Sequence, residues 1–466
     1  GVCFVITGPG VTNAATGIGQ AYADSIPMLV ISSVNHTASL GKGWGILHEC
    51  QDQRAMTAPI TAFSAVALTP EDLPELIARA YAVFDSERPR PVHISVPLDV
   101  LAAPIARDWS NDVVRRPGRG TPAAEVLDAA AAKLQGAKRP MIIAGGGALN
   151  AAAQLQELST RLAAPLFTSV AGKGLLPPEA PLNAGSTLCV EPGWNLIAEA
   201  DVVLAVGTEM ADTDFWRERL PLNGQVLRVD IDSRKFNDFY PCAVALQGDA
   251  RQTLVALLER LSPDVREAGA AVASVASLRE AVRKGHGPLQ SIHQAILQRI
   301  AAELPANAFV STDMTQLAYT GNYAFNSLAP RSWLHPTGYG TLGYGLPAGI
   351  GAKFGAPQRP GLVLVGDGGF LYTAQELATA VEELDSPLVV LLWNNDALGQ
   401  IRDDMIGLDI EPIGVLPRNP DFAALGRAFG CTVTQPQNLA ELQTDLRHGF
   451  NRKGVTLIEL KHACVR

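Results

Sequence analysis

The sequence predicts an α/β protein of three doubly wound domains with mainly parallel sheets. Three observations carry that expectation. Short apolar runs rich in β-branched residues alternate with segments of helical periodicity along most of the chain. Glycine-rich turns follow several of those runs, at Gly8–Gly10, Gly145–Gly147 and Gly366–Gly369. Two stretches without clear periodicity, residues 104–122 and about 262–287, divide the pattern into three blocks. Domains are therefore expected at 1–103, 121–262 and 286–466.

In the first block "CFVIT" reads as a strand, followed by a Gly-Pro-Gly turn and a helix that Asn13 could cap. Strand "MLVIS", a long loop from Asn35 to Arg54, helix "PEDLPELIARAYAVFDS" and strand "PVHISVP" complete it. The chain opens as though inside a strand, and upstream sequence is expected to precede it. The second block supplies "PMIIAGGG", a helix to Ala163, "PLFTSV", a helix near Trp194, "VVLAVG" and "QVLRVDID". Residues 104–122 read as a linker, and the second linker as partly helical. The third block holds "FVSTD", a glycine-rich stretch from Trp333 to Ala352, "GLVLV", "PLVVLLW" and a last strand "VTLIELK". Between "GLVLV" and "PLVVLLW" the spacing of Leu377, Val381 and Leu384 predicts a crossover helix from Thr373 to Leu384.

Bulk properties narrow the function. The chain has 466 residues, 47% apolar and 18% charged, so it can bury a sizeable core. A net charge of −9 and the lack of basic runs argue against nucleic acid as a partner. No apolar stretch is long enough for a membrane span and no signal peptide is visible. Six cysteines lie scattered without C-x-x-C spacing, which fits reduced thiols in a cytoplasmic enzyme.

The glycine turns differ in what they can do. "GYGTLG", Gly338–Gly343, matches G-x-G-x-x-G, but Pro330 and Pro336 break the strand a dinucleotide site would need before it. The turn at Gly145–Gly147 follows a strand and reads as structural. The stretch "GDGGF…LLWNND" says more. Two parallel strands of one βαβ unit end side by side, so Asp367 and Asn395 should be close although 28 positions apart. A carboxylate beside an amide oxygen suits a hard cation, and the glycines open backbone N–H groups to a phosphate.

The ordered set of motifs resembles the thiamine-diphosphate-dependent enzymes of the acetolactate synthase and benzoylformate decarboxylase group. "ITGPGVTNAATGIGQAYADSIPMLVIS" looks like the second half of that group's pyrimidine-binding domain, and "GTLGYGLPAGIGA" with "GDGGF…LLWNND" like its diphosphate-binding domain. The resemblance spans essentially the whole chain. It implies thiamine diphosphate and Mg²⁺ as cofactors, with Asp367, Asn395 and the backbone carbonyl of Ala397 as metal ligands. It places the turn of Gly366, Gly368 and Gly369 at the diphosphate, and has Asn394 merely support the loop. Leu342 would sit under the bent cofactor, and the Gly340 carbonyl would accept from the pyrimidine amino group.

The group's activating Glu precedes the Gly-Pro-Gly turn by several tens of residues, and no position of this chain matches it. Either an upstream segment supplies it or the chain is catalytically dead; the former is the expectation. Active sites of the group form between chains, which implies a homodimer or homotetramer. His48 and Glu49 stand where synthases have Phe-Gln-Glu, and are the catalytic candidates of the first block, with His335 a weaker one. "GTEMADT" has Glu209 where FAD-binding synthases have Arg, which argues against FAD. Asp403 and Asp404 lie where the group lines its substrate pocket. They read either as a solvated acidic face or as partners for a positively charged substrate.

The pattern looks most like decarboxylases of 5-guanidino-2-oxopentanoate, the 2-oxo acid of arginine. The implied activity is non-oxidative decarboxylation of a 2-oxo acid. An acetolactate synthase-type carboligase and a non-catalytic cofactor-binding protein are the alternatives.

Overall fold

A computed structural model describes residues 1–109 and 118–465. It contains three sheets, each with parallel ladders throughout. The first sheet takes β1 (Val2–Val5), β2 (Leu29–Val34), β3 (Phe63–Val66) and β4 (Val92–Pro97) in the order β1-β2-β4-β3. The second takes β5 (Pro140–Ala144), β6 (Leu166–Thr168), β7 (Asn183–Gly185), β8 (Val202–Val206), β9 (Gln225–Asp230) and β10 (Val244–Gln247). Its order is β10-β9-β8-β5-β6-β7. The third takes β11 (Phe309–Thr312), β12 (Trp333–Leu334), β13 (Gly361–Gly366), β14 (Leu388–Asn394), β15 (Thr432–Thr434) and β16 (Val455–Lys461), ordered β12-β11-β13-β14-β16-β15. This is the expected fold class. No helix of the described residues is long and apolar enough to cross a membrane.

The third sheet shows why its strands read as unbroken apolar runs. Every residue of β13 and β14 is buried, because helices cover both faces. Leu362 and Leu364 pack on one side with Leu297, Ile300 and Leu446. Val363 and Val365 pack on the other with Leu346, Ile350, Phe370 and Leu377. Each such side chain contributes about 1.5–3 kcal/mol of burial, so the two central strands are fixed firmly in register. Gly366 lies opposite Trp393, which brings the carboxyl ends of β13 and β14 level.

Four local expectations are revised. The first helix runs Pro9–Ala23, with Gly8 (φ +64°) in the cap position. Proline at the first helical position is preset for the helix and needs no N–H there, so Asn13 lies inside the helix and does not cap it. Strand β3 was not expected; its four residues are all half-buried and give no alternation to read. The second linker is mostly one helix, Gly269–Lys284, whose buried residues are Val275 and Leu278. The crossover is two helices, Asp367–Thr373 and Glu376–Glu383, so Asp367 itself opens the first. Part of the stretch read as the first linker, residues 110–117, lies outside the described residues.

Candidate active site

The carboxyl edge of the third sheet gathers most of the candidate residues. The chain passes from β13 straight into the helix Asp367–Thr373, so Asp367 stands at the end of a fully buried strand and is only 2% exposed. Burial raises its pKa, opposed by hydrogen bonds from Asn419 and the Gly368 N–H, while the nearby Asp396 raises it further. Asp367 Oδ2 accepts from Asn419 Nδ2 at 2.7 Å and Oδ1 from the Gly368 N–H at 3.0 Å. The same Asn419 amide donates to Asn394 Oδ1 and Asp396 Oδ1, both at 3.2 Å. Asp367 and the turn that follows β14 are thus joined, as the βαβ reading requires.

Within that turn the two asparagines differ. Asn394 is buried and donates to Glu459 Oε1 at 2.8 Å, while its Oδ1 accepts the Asp396 N–H at 3.1 Å. Asn395 makes no direct hydrogen bond to Asp367 among the described residues: its Nδ2 reaches Gln316 Oε1 at 3.4 Å, and its Oδ1 accepts at 3.3 Å the Ala397 N–H, which also bonds to Asp367. Asp396 makes the turn with φ +54°. A side chain at Gly368 would have to displace the tip of Leu398, and one at Gly369 would meet the buried Asp313 carboxylate. A Cβ would lie 2.5 Å from Leu398 Cδ2 in the first case and 2.6 Å from Asp313 Oδ1 in the second.

The cluster is rich in acceptors and poor in donors. Asp367, Asn394 and Asp396 share one amide NH₂, and Asn419 Oδ1 is buried without a partner among the described residues. Buried polar atoms are normally satisfied. An oxygen-lined recess with an orphaned carbonyl has the donor chemistry of a hard divalent cation such as Mg²⁺. Among the described residues no group of three or more His, Cys, Asp or Glu offers a metal site, so any cation site here rests on amide and backbone oxygens beside Asp367.

The loop 338–345 faces this edge and is held from two sides. Asp313, at the end of β11 and fully buried, accepts the N–H groups of Met314 (2.9 Å), Gly343 (3.1 Å) and Gly345 (2.8 Å). From the first block, Asp24 Oδ1 accepts the Gly338 N–H at 2.8 Å and Gln20 Oε1 the Thr341 N–H at 3.2 Å. Gly340 (φ +67°) and Gly343 (φ +83°) supply the left-handed turns. Leu342, between them, is half-buried and stands outside the packed core that claims Leu346.

The substrate-side candidates are unequal. In the helix Gly399–Gly407, Asp403 already pairs with Arg402 (2.8 Å) and accepts Gln316 Nε2 at 2.8 Å. Asp404 is exposed and takes only Gln400 Nε2, at 2.8 Å on Oδ1, among the described groups. Close by, the Tyr319 hydroxyl is pushed up to about 12 by burial, with Asp313 and Asp404 adding to it.

In the first block His48 takes φ +64° and lays its carbonyl against the Gly-Pro-Gly turn, where a Cβ on Gly8 would come within 2.6 Å of it. Glu49 holds its own loop: its carboxylate accepts from the N–H groups of Gly43, Trp44, Gly45 and Ile46 at 2.7–3.3 Å. Slight desolvation of Glu49 is outweighed by those four bonds, which leave its pKa lowered. No hydrogen bond among the described residues joins His48 or Glu49 to Asp367, Asn395, Asp403 or Asp404. His335 is buried, with Nδ1 2.7 Å from Thr312 Oγ1, and burial pushes it down to about 3.

Asp313, Gln316 and Asn419 were not singled out from the sequence. An Asp directly after the strand "FVST" at the active edge is the signal for the first. The other two bond across tens of residues and leave no local pattern. In the middle block, Glu209 pairs with Arg88 and lies 3.7 Å from Lys235, so cations from other segments gather where "GTEMADT" lacks its arginine. The turn at Gly145–Gly147 packs on Gly207, with 2.9 Å between Gly207 Cα and a Cβ on Gly147. A cavity of about 780 Å³ between the helices Glu191–Ile197 and Gly269–Lys284 shares no lining residue with this edge.

Family models match the chain in three places. The N-terminal TPP binding domain of thiamine pyrophosphate enzymes covers residues 1–56, the central domain 127–257 and the C-terminal TPP binding domain 313–460. The chain belongs to the thiamine pyrophosphate enzymes, the family that its motifs resemble. Among individual relatives it is 80% identical to a probable 2-ketoarginine decarboxylase of Pseudomonas aeruginosa, over all of this chain and 83% of that protein. It is 30% identical to the acetolactate synthase isozyme 1 large subunit of Escherichia coli, over 99% of this chain and 82% of that one. A probable acetolactate synthase large subunit of Methanocaldococcus jannaschii is 29% identical, over 97% and 79% of the two chains.

Proposed function

We propose that the protein is a thiamine-diphosphate- and Mg²⁺-dependent decarboxylase that removes CO₂ from 5-guanidino-2-oxopentanoate. The observation that carries the cofactor reading is the acceptor-rich recess joining Asp367 to the Asn394–Ala397 turn. What supports the substrate is the 80% identity to the Pseudomonas protein, together with the free carboxylate oxygen of Asp404.

When bound, thiamine diphosphate supplies an electron sink that allows the carboxylate of a 2-oxo acid to leave as CO₂. The remaining work falls to the chain. Asp367, Asn395 through its Oδ1, and the carbonyl of Ala397 would hold Mg²⁺, while Asn395 Nδ2 keeps its contact with Gln316. Gly366, Gly368 and Gly369 keep the backbone beside them open to the diphosphate. Leu342, presented by two left-handed glycines, would press on the cofactor, and Gly340 would accept a hydrogen bond from it.

Asp404 would bind the guanidinium through charge-assisted hydrogen bonds, while Asp403, neutralised by Arg402, positions Gln316. His48 is the acid/base candidate of the first block; Glu49 we assign to folding its loop. The active unit would be a homodimer or homotetramer with sites between chains.

Incubation of the full-length protein, any segment upstream of Gly1 included, with thiamine diphosphate, Mg²⁺ and a panel of 2-oxo acids tests the reading. The expected products are CO₂ and 4-guanidinobutanal, with Asp404→Asn raising KM for the guanidino substrate at least tenfold. Release of acetolactate from pyruvate would point instead to the carboligase chemistry named for the 30%-identical relative. Turnover of no 2-oxo acid would overturn the proposal.

A further inference from the structure

Asn419 presents an imbalance that ordinary loop packing does not account for. Its NH₂ has two hydrogens for three acceptors, drawn from the start of one helix (Asp367), the last residue of β14 (Asn394) and the turn after it (Asp396). Two of the three are carboxylates. Its own Oδ1 is buried without a partner among the described residues. Leaving a buried carbonyl unpaired costs about 1–3 kcal/mol. The opposite amide orientation would aim that oxygen at two carboxylates and a third oxygen, which is worse while no cation is present. Among the described residues that NH₂ is the one side-chain donor shared by Asp367, Asn394 and Asp396; the other donors to them are the backbone N–H groups of Gly368, Asp396 and Ala397.

We propose that Asn419 is a positioning residue that stands in for the divalent cation in the cation-free protein. Its NH₂ holds Asp367 and Asp396 together against their repulsion and keeps the Asn394–Ala397 turn seated before a cation arrives. The inference rests on the reading of this recess as the Mg²⁺ site. A purely structural asparagine would contribute equally with and without the cation. A stand-in contributes only without it.

The test compares melting of the full chain after dialysis against EDTA with melting in saturating Mg²⁺ and thiamine diphosphate. Asn419→Ala is expected to lower the melting temperature of the cation-free protein and to leave that of the loaded protein nearly unchanged. The shift produced by Mg²⁺ and thiamine diphosphate then grows by at least half over wild type. Asn419→Asp, which adds a third carboxylate, is expected to lower the cation-free value further and to recover it on loading. Equal losses in both states, an unchanged shift, or a smaller shift for Asn419→Ala would overturn the stand-in role while leaving the cation site in place. A wild-type chain that Mg²⁺ and thiamine diphosphate do not shift at all would remove both the site and the inference.

Discussion

Asp313 shows how much of the site depends on single buried side chains. Its carboxylate collects the N–H groups of Gly343 and Gly345 from the loop that carries Leu342 and that of the adjacent Met314, and it lies against Gly369 of the neighbouring helix. Burial raises its pKa while those N–H bonds lower it. Asp313→Asn replaces one acceptor oxygen by an NH₂ that faces donors. Hydrogen bonds to a buried charge are each worth about 1.5–3 kcal/mol, so the variant should lose about 2–3 kcal/mol of stability in urea unfolding. It should also bind thiamine diphosphate at least tenfold more weakly, because the Leu342 loop loosens. A variant with wild-type stability would show that the loop is held elsewhere. The sequence displays the aspartate but not its long-range partners, the N–H groups of Gly343 and Gly345, 30 and 32 residues away.

At the scale of elements, legibility follows from periodicity and breakers. Strands β13 and β14 read clearly because both faces are covered and every position is apolar. Asp367 and the Asn-Asn pair could be placed at one edge because parallel strands of a βαβ unit end together. Strand β3 could not be read, being four half-buried residues without contrast. The helix start at Pro9 was hidden because asparagine is a common cap and glycine a neutral one. The helix Gly269–Lys284 was read only as partly helical, since it buries so little of its surface. Glu49 is the instructive case at the site. A glutamate beside a histidine in a loop reads as chemistry, yet the chain turns left-handed at Gly41, Gly43 and Gly45 and wraps four N–H groups around its carboxylate. Only the folded backbone discloses that.

At the scale of the whole molecule, buried imidazoles set the response to acid. His93, within 2.8 Å of Ser32 Oγ and 2.7 Å of Thr57 Oγ1, and His293 are both held down to about 4 by burial, and His335 to about 3. Between these values and the unfolded pKa near 6.5, the unfolded chain binds protons that the folded one refuses. Stability from these groups is therefore complete above pH 6.5 and lost as pH falls toward 4. Asp24 and Asp214, pushed up to about 6 and about 7 by burial, oppose this, since the folded chain then holds protons the unfolded one has released. Replacing His93 by Gln should flatten the dependence of the urea midpoint between pH 4 and 6.5 by about one proton, worth about 1.4 kcal/mol per pH unit. An unchanged slope would mean that His93 is protonated in the folded protein.

The recess proposed to hold the cation is likewise a property of the whole fold, assembled from the end of β13, the end of β14 with the turn after it, the segment at Asn419 and a loop braced from the first block. Its most direct measurement is Mn²⁺ binding followed by electron paramagnetic resonance, with thiamine diphosphate present and Mn²⁺ in place of Mg²⁺. The account predicts one tight ion per chain, weakened at least a hundredfold in Asp367→Asn and unaltered in the exposed Asp385→Asn. Retention of tight Mn²⁺ by Asp367→Asn would contradict it.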